Sequence, residues 1–103
     1  MDRISQLRAL LVDNPGDSFL KHALALEFVK LGDDEQAGKL FEEVLVKNEN
    51  YIGSYFHLCQ VLIRKGNIDE AITWFKKGLD KAREAGDNHA YSELLSAYED
   101  LIY

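Results

Sequence analysis

Apolar side chains recur along this chain at three- and four-residue steps, in blocks parted by short polar breaks, and each block reads as an amphipathic helix. Leu20, Leu24, Phe28 and Leu31 make one face of a helix that stops at Gly32, where a chain leaving a helix often needs a left-handed backbone. Asp33, Asp34 and Glu35 follow, offering capping oxygens and negative charge to the positive end of the next helix. That helix carries Ala37, Leu40, Phe41, Val44 and Leu45 on its apolar stripe and is expected to end near Asn48. The scheme then recurs. Tyr55, Leu58, Cys59 and Leu62 precede Gly66, Asp69 is expected as N-cap, and Ala71, Ile72, Phe75, Leu79 and Ala82 form the stripe. A last block, Ala90, Tyr91, Leu94, Leu95, Tyr98, Leu101 and Ile102, predicts a helix starting near Asp87 or Asn88.

Sliding the sequence by 34 positions superposes Leu24 on Leu58, Gly32 on Gly66, Ala37 on Ala71, Phe41 on Phe75, Leu45 on Leu79 and Lys47 on Lys81. Five of these six identities are small or apolar residues, and Ala25/Cys59, Phe28/Leu62 and Val29/Ile63 match in size or character. Each unit is therefore helix, Gly-centred turn, helix, with the two helices antiparallel because the turn is short. Ala25, Cys59, Ala37 and Ala71 let paired helices approach closely, while Phe41 and Phe75 fill the space beside them. Neither unit can bury its face alone, so the units must stack.

The 34-residue spacing and the placement of Leu24, Ala25, Phe28, Gly32, Ala37, Phe41 and Leu45, then Tyr55, Leu58, Cys59, Leu62, Gly66, Ala71 and Phe75, resemble the tetratricopeptide repeat family. The run Gly66-Asn67-Ile68-Asp69-Glu70-Ala71-Ile72 looks much like that family's turn. The chain departs from the pattern at Lys21, where an aromatic is usual, at Gly78, where alanine is usual, and at Glu49 and Arg83, where proline would end the second helix. The absent proline at Arg83 predicts a longer helix, reaching Ala85. Leu7, Leu11 and Pro15 fall 34 residues before Phe41, Leu45 and Glu49 and mark a preceding half-unit.

The resemblance implies an all-α, short right-handed solenoid of antiparallel helix pairs, read as one domain over residues 1–103. It comprises a leading helix over 1–14, full repeats over 18–51 and 52–85, and a capping helix over 87–103 that covers an otherwise exposed end.

Composition narrows the function classes. With 47% hydrophobic residues, 29% charged and a single proline, the chain is an ordinary folded one. Its net charge of −6 is spread along the length, and the densest basic stretch, Lys76, Lys77, Lys81 and Arg83, is diluted by Asp80 and Glu84. A nucleic-acid partner is not expected, because phosphate binding needs a clustered basic face. Cys59 is the one cysteine, so no disulfide within the chain is possible. Met1-Asp2-Arg3 opens no secretory signal and no apolar run approaches bilayer length, which together with the lone thiol leads to the expectation of a cytoplasmic protein with no membrane partner.

Candidate chemistry is sparse. His22, His57 and His89 have no second ligand at metal-motif spacing, and no phosphate loop or nucleophile elbow is present. Cys59 sits at a small-residue packing position, where a thiol is inert. The carboxylate pairs Asp33/Asp34, Glu42/Glu43 and Asp69/Glu70 are sequence neighbours, whereas acid/base work needs groups converging across a cleft. Trp74 is expected in a partly buried packing role beside Phe75. No enzyme activity, catalytic residue, metal or cofactor is expected.

The expected function is a protein–protein interaction module, an adaptor or scaffold that binds a peptide segment of a partner. The family resemblance implies that its ligand surface is the concave side, lined by the first helix of each repeat. The matching positions are Phe19, His22, Leu26 and Lys30, then Gly53, Phe56, Gln60 and Arg64. Some members clamp a carboxylate tail with Lys and Asn there; His22, Leu26 and His57 at the first three such places disfavour that mode. What remains is a shallow groove with Phe19, Leu26 and Phe56 as anchors and Lys30 and Arg64 as basic rim, suited to a segment of some acidic character. The alternative is homo-oligomerisation, with Tyr91, Tyr98, Leu101, Ile102 and Tyr103 offering more apolar surface than one cap helix needs.

Overall fold

The computed structural model describes residues 2–103 as six helices with no strand among them: α1 (Arg3–Asp13), α2 (Ser18–Lys30), α3 (Asp34–Lys47), α4 (Gly53–Arg64), α5 (Ile68–Ala85) and α6 (Asn88–Ile102). Each helix packs on the next, giving an elongated all-α body of 43 × 28 × 20 Å. α6 also touches α4, so the end of the stack is folded onto the second repeat.

The turns at Gly32 and Gly66 explain why each pair folds back. Both glycines have positive φ, 75° and 79°, which a side chain at Cβ would penalise. In each, the glycine N–H and the next N–H reach back to the helix end: Gly32 N to Val29 O at 3.0 Å with Asp33 N to Phe28 O at 2.9 Å, and Gly66 N to Ile63 O at 3.0 Å with Asn67 N to Leu62 O at 2.8 Å. Orphan carbonyls are thereby satisfied as the chain reverses.

Asp2, Asp17, Asp33 and Asp87 cap α1, α2, α3 and α6 by accepting the backbone N–H three residues on. α5 differs from expectation. Its N-cap is Asn67, with no side-chain capping bond, and Asp69 lies inside the first turn, where its charge still faces the positive helix end. α5 does run to Ala85, as the absent proline at Arg83 implies.

The core joins the helices in one cluster. Ala25, Ala37, Phe41, Tyr55, Cys59, Val61, Ala71, Phe75 and Ala82 have no accessible surface, and Leu7, Leu45, Leu58 and Leu94 are nearly as closed. Each large side chain so buried contributes roughly 1.5–3 kcal/mol relative to exposure. Cys59 is among them; burial pushes its thiol up to about 12, and its Sγ lies 3.7 Å from Ala71 O. Glycine at 78 has a steric reason: a Cβ there would lie 2.9 Å from Tyr55 Cβ and Cγ, and 3.2 Å from Leu94 Cδ1. Trp74 is half-buried, its ring 6.1 Å from that of Tyr55, with Lys77 Nζ over it at 5.6 Å.

Candidate functional site

Of the eight candidate positions on α2 and α4, Gly53 opens α4 and carries no side chain, and the other seven divide into two groups. Phe19, Leu26, Phe56 and Gln60 keep surface. Phe19 is 64% exposed at the start of α2, while Leu26 and Phe56 are half-buried, resting on the core and presenting their outer edges. Gln60 is half-buried too, and with Ile63 it faces Ala97, Asp100 and Leu101 of α6 across a valley of about 250 Å³.

His22, Lys30 and Arg64 are engaged within the chain. His22 Nδ1 lies 2.8 Å from the hydroxyl of Ser54, which is fully buried, and its ring meets Phe41, Tyr51 and His57 at centroid distances of 5.5, 5.3 and 5.7 Å. Burial, reinforced by neighbouring His57, lowers the His22 pKa to about 4. His57 stacks on Phe41 at 5.6 Å and is also lowered, first by burial, so both rings are neutral near pH 7. Lys30 Nζ binds Glu27 Oε2 at 3.0 Å. Arg64 crosses to the preceding repeat, with Nε 3.0 Å from Asp34 Oδ2 and Nη2 2.9 Å from Oδ1. That pair holds the Asp34 carboxyl below its usual range.

Both rim cations thus have a carboxylate partner within the chain. The Lys30 partner was visible as a three-residue step on one helix; the Asp34 and Ser54 partners, which the sequence reading missed, lie 30 and 32 residues away and follow from how repeats stack.

Chemically, the face can grip but has no exposed nucleophile of the Ser–His kind. Ser54 and His22 share a hydrogen bond, yet the Ser54 hydroxyl is sealed from solvent and no substrate atom can reach it. Among the described residues no three His, Cys, Asp or Glu side chains gather closely enough to hold a metal ion. No helix among them is long and apolar enough to cross a membrane. Part of the aromatic surface of α6 is used internally: Tyr98 meets Phe75 at 5.8 Å, and Tyr91 lies under Arg83, leaving Ile102 at 41% and Tyr103 at 94% exposure. A wider recess, about 610 Å³ on the outer side of α2 and α3, is lined by Lys21, Lys39, Glu42, Glu43, Val46 and Lys47; it is mixed in charge, and Lys21 pairs with Glu43 at 3.7 Å.

Comparison with known proteins places this geometry. The tetratricopeptide repeat domain protein of Salinibacter ruber, in its crystal structure, is 35% identical, with a TM-score of 0.79 over 82% of this chain and 94% of that one. Interferon-induced protein with tetratricopeptide repeats 3 of Mus musculus is 25% identical over 96% of this chain. Aspartyl/asparaginyl beta-hydroxylase of Mus musculus is 31% identical over 72% of it. The chain spans 24% and 10% of the lengths of these two curated relatives, so the likeness reaches only a segment of each. The profile of the tetratricopeptide repeat matches residues 28–98, from the last turn of α2 into α6, and the chain belongs to the tetratricopeptide repeat family.

Proposed function

We propose that this chain is a protein-interaction module that holds a peptide segment of a partner on the face formed by α2 and α4, with Phe19, Leu26, Phe56 and Gln60 as the gripping side chains. The observation that carries this reading is Phe19: a phenylalanine 64% exposed, two helical turns from half-buried Leu26 on α2, adds little to stability where it stands. A solvent-facing aromatic beside a firm apolar floor is how interfaces concentrate binding energy. His22 serves the site indirectly, by tying α2 to α4 through Ser54 and fixing the distance between the two gripping helices.

The test separates grip from packing. Peptides selected on the wild-type chain from a randomised displayed library should bind Phe19→Ala at least tenfold more weakly, with the thermal midpoint within a few degrees of wild type. A large fall in the midpoint, unchanged peptide affinity, or no selected peptide would each overturn the reading.

A further inference from the structure

From the charges left unpaired around the valley between α4 and α6, we infer that the partner segment is cationic and apolar, an amphipathic helix bearing Lys or Arg, and not an acidic one. This rests on the interaction-module reading above and extends its face, through Gln60, into the neighbouring valley and to the chemistry of the occupant. The floor is mostly apolar: Ile63 from α4 and Ala97 and Leu101 from α6 are all half-buried, resting on the core with surface to spare, beside Gln60.

The charges sort by side. Arg64 of α4 is held by three hydrogen-bond contacts to Asp34, Lys30 of α2 is held by Glu27, and His57 of α4 is kept neutral by burial. α6 contains Glu93, Glu99 and Asp100 and neither lysine nor arginine. No side-chain ion pair or hydrogen bond engages these three carboxylates in the described structure. Glu93 is near enough to His57 to act on its charge, and Asp100 lines the valley itself, so the two stand along the α4 side of α6. Seven residues apart on one helix, they are separated by about 10 Å, two helical turns. A ligand helix with cations at the same spacing and an apolar stripe between them meets both features at once. An acidic ligand meets unpaired carboxylates and cations that already have carboxylate partners.

The experiment takes the displayed-library peptides selected on the full chain and measures their affinities by fluorescence anisotropy at two salt concentrations. Expected winners carry net positive charge with apolar residues at helical spacing, and weaken as salt rises. The double variant Glu93→Gln with Asp100→Asn should weaken them at least tenfold and flatten the salt dependence. Ala97→Phe, a neutral plug, should abolish binding, with Gln60→Trp as a second plug if the first melts early. Acidic or neutral winners that the plugs block overturn the cationic assignment and leave the groove standing. So do cationic winners indifferent to the double variant. Winners insensitive to both plugs and to Phe19→Ala bind elsewhere and overturn the groove reading itself.

Discussion

The two repeats share a frame and differ where the frame meets a neighbour. Positions 34 residues apart place Lys21 against Tyr55, Val44 against Gly78, His22 against Phe56 and Lys30 against Arg64. In the second repeat Tyr55 is fully buried, donates its hydroxyl to Glu49 O at 2.6 Å, and lies so close to position 78 that only glycine fits. In the first, a lysine takes the tyrosine's place, pairs with Glu43, and the facing position is a buried valine. The side chains are large with absent in one repeat, and long and polar with medium in the other, so the same frame is filled in two different ways.

The comparison breaks most visibly at its aromatic member. Tyr55→Ala removes a closed ring and strands the Glu49 carbonyl, so a loss of about 3–5 kcal/mol is expected. For a chain of this size that is more than about 12 °C in the thermal midpoint. Lys21→Ala loses a partly exposed ion pair and should cost about 1 kcal/mol or less. Gly78→Ala sharpens the point: helix propensity favours alanine by up to about 1 kcal/mol, yet the new methyl needs space that Tyr55 Cβ occupies, and overpacking of about 1–3 kcal/mol prevails. Since the contact includes the Cβ, Tyr55→Ala does not relieve it. Urea unfolding of the single and double variants should show both losses persisting together; a double variant more stable than Tyr55→Ala alone would refute the shared-space account.

The next pair, His22 and Phe56, differs in its response to acid. The His22 pKa falls from about 6.5 in the unfolded chain to about 4 in the folded one, so between these values the unfolded state binds more protons. Stability is fully present above the unfolded value and is lost as pH falls from 6.5 towards 4, with lowered His57 adding in the same direction. The ring retains solvent contact, so the loss attributable to His22 is discounted to about 1–2 kcal/mol. Replacing His22 by Phe, with Ser54→Ala to avoid an orphaned hydroxyl, should flatten that part of the urea-midpoint profile between pH 6.5 and 4. An unchanged slope would remove His22 as its source.

How much of this could be read along the chain follows from the same distinction. Helix boundaries, the Gly32 and Gly66 turns and the closed positions Ala25, Ala37, Phe41, Cys59, Ala71 and Phe75 obey local periodicity, and the pattern of apolar steps displays them. The surface is less legible. Phe19 and Gln60 keep surface at α2 and α4, but whether a cation is free depends on a carboxylate in another repeat, as with Arg64 and Asp34. The valley needs α6 laid beside α4, which no spacing within either helix encodes. Asp69 shows the same limit on a smaller scale: two acidic residues near a helix start look alike in sequence, and the turn geometry set by Gly66 decides that Asn67 is the cap.

The finest difference is between Lys30 and Arg64, equivalent positions with unlike partners. Lys30 reaches Glu27 on its own helix with most of its side chain in water, and such a pair is worth a few tenths of a kcal/mol at most. Arg64 spans two repeats, presenting its guanidinium edge to Asp34 through Nε and Nη2. That two-pronged geometry fixes α4 against the start of α3, although its exposure limits the gain to about 0.5–1 kcal/mol. Lys30→Ala should therefore leave the urea midpoint unmoved, while Arg64→Ala lowers it slightly. Arg64→Lys should recover little of the loss, because an ammonium cannot present two aligned donors to one carboxylate. Full recovery by lysine would mean that charge alone, not the fork, links the repeats.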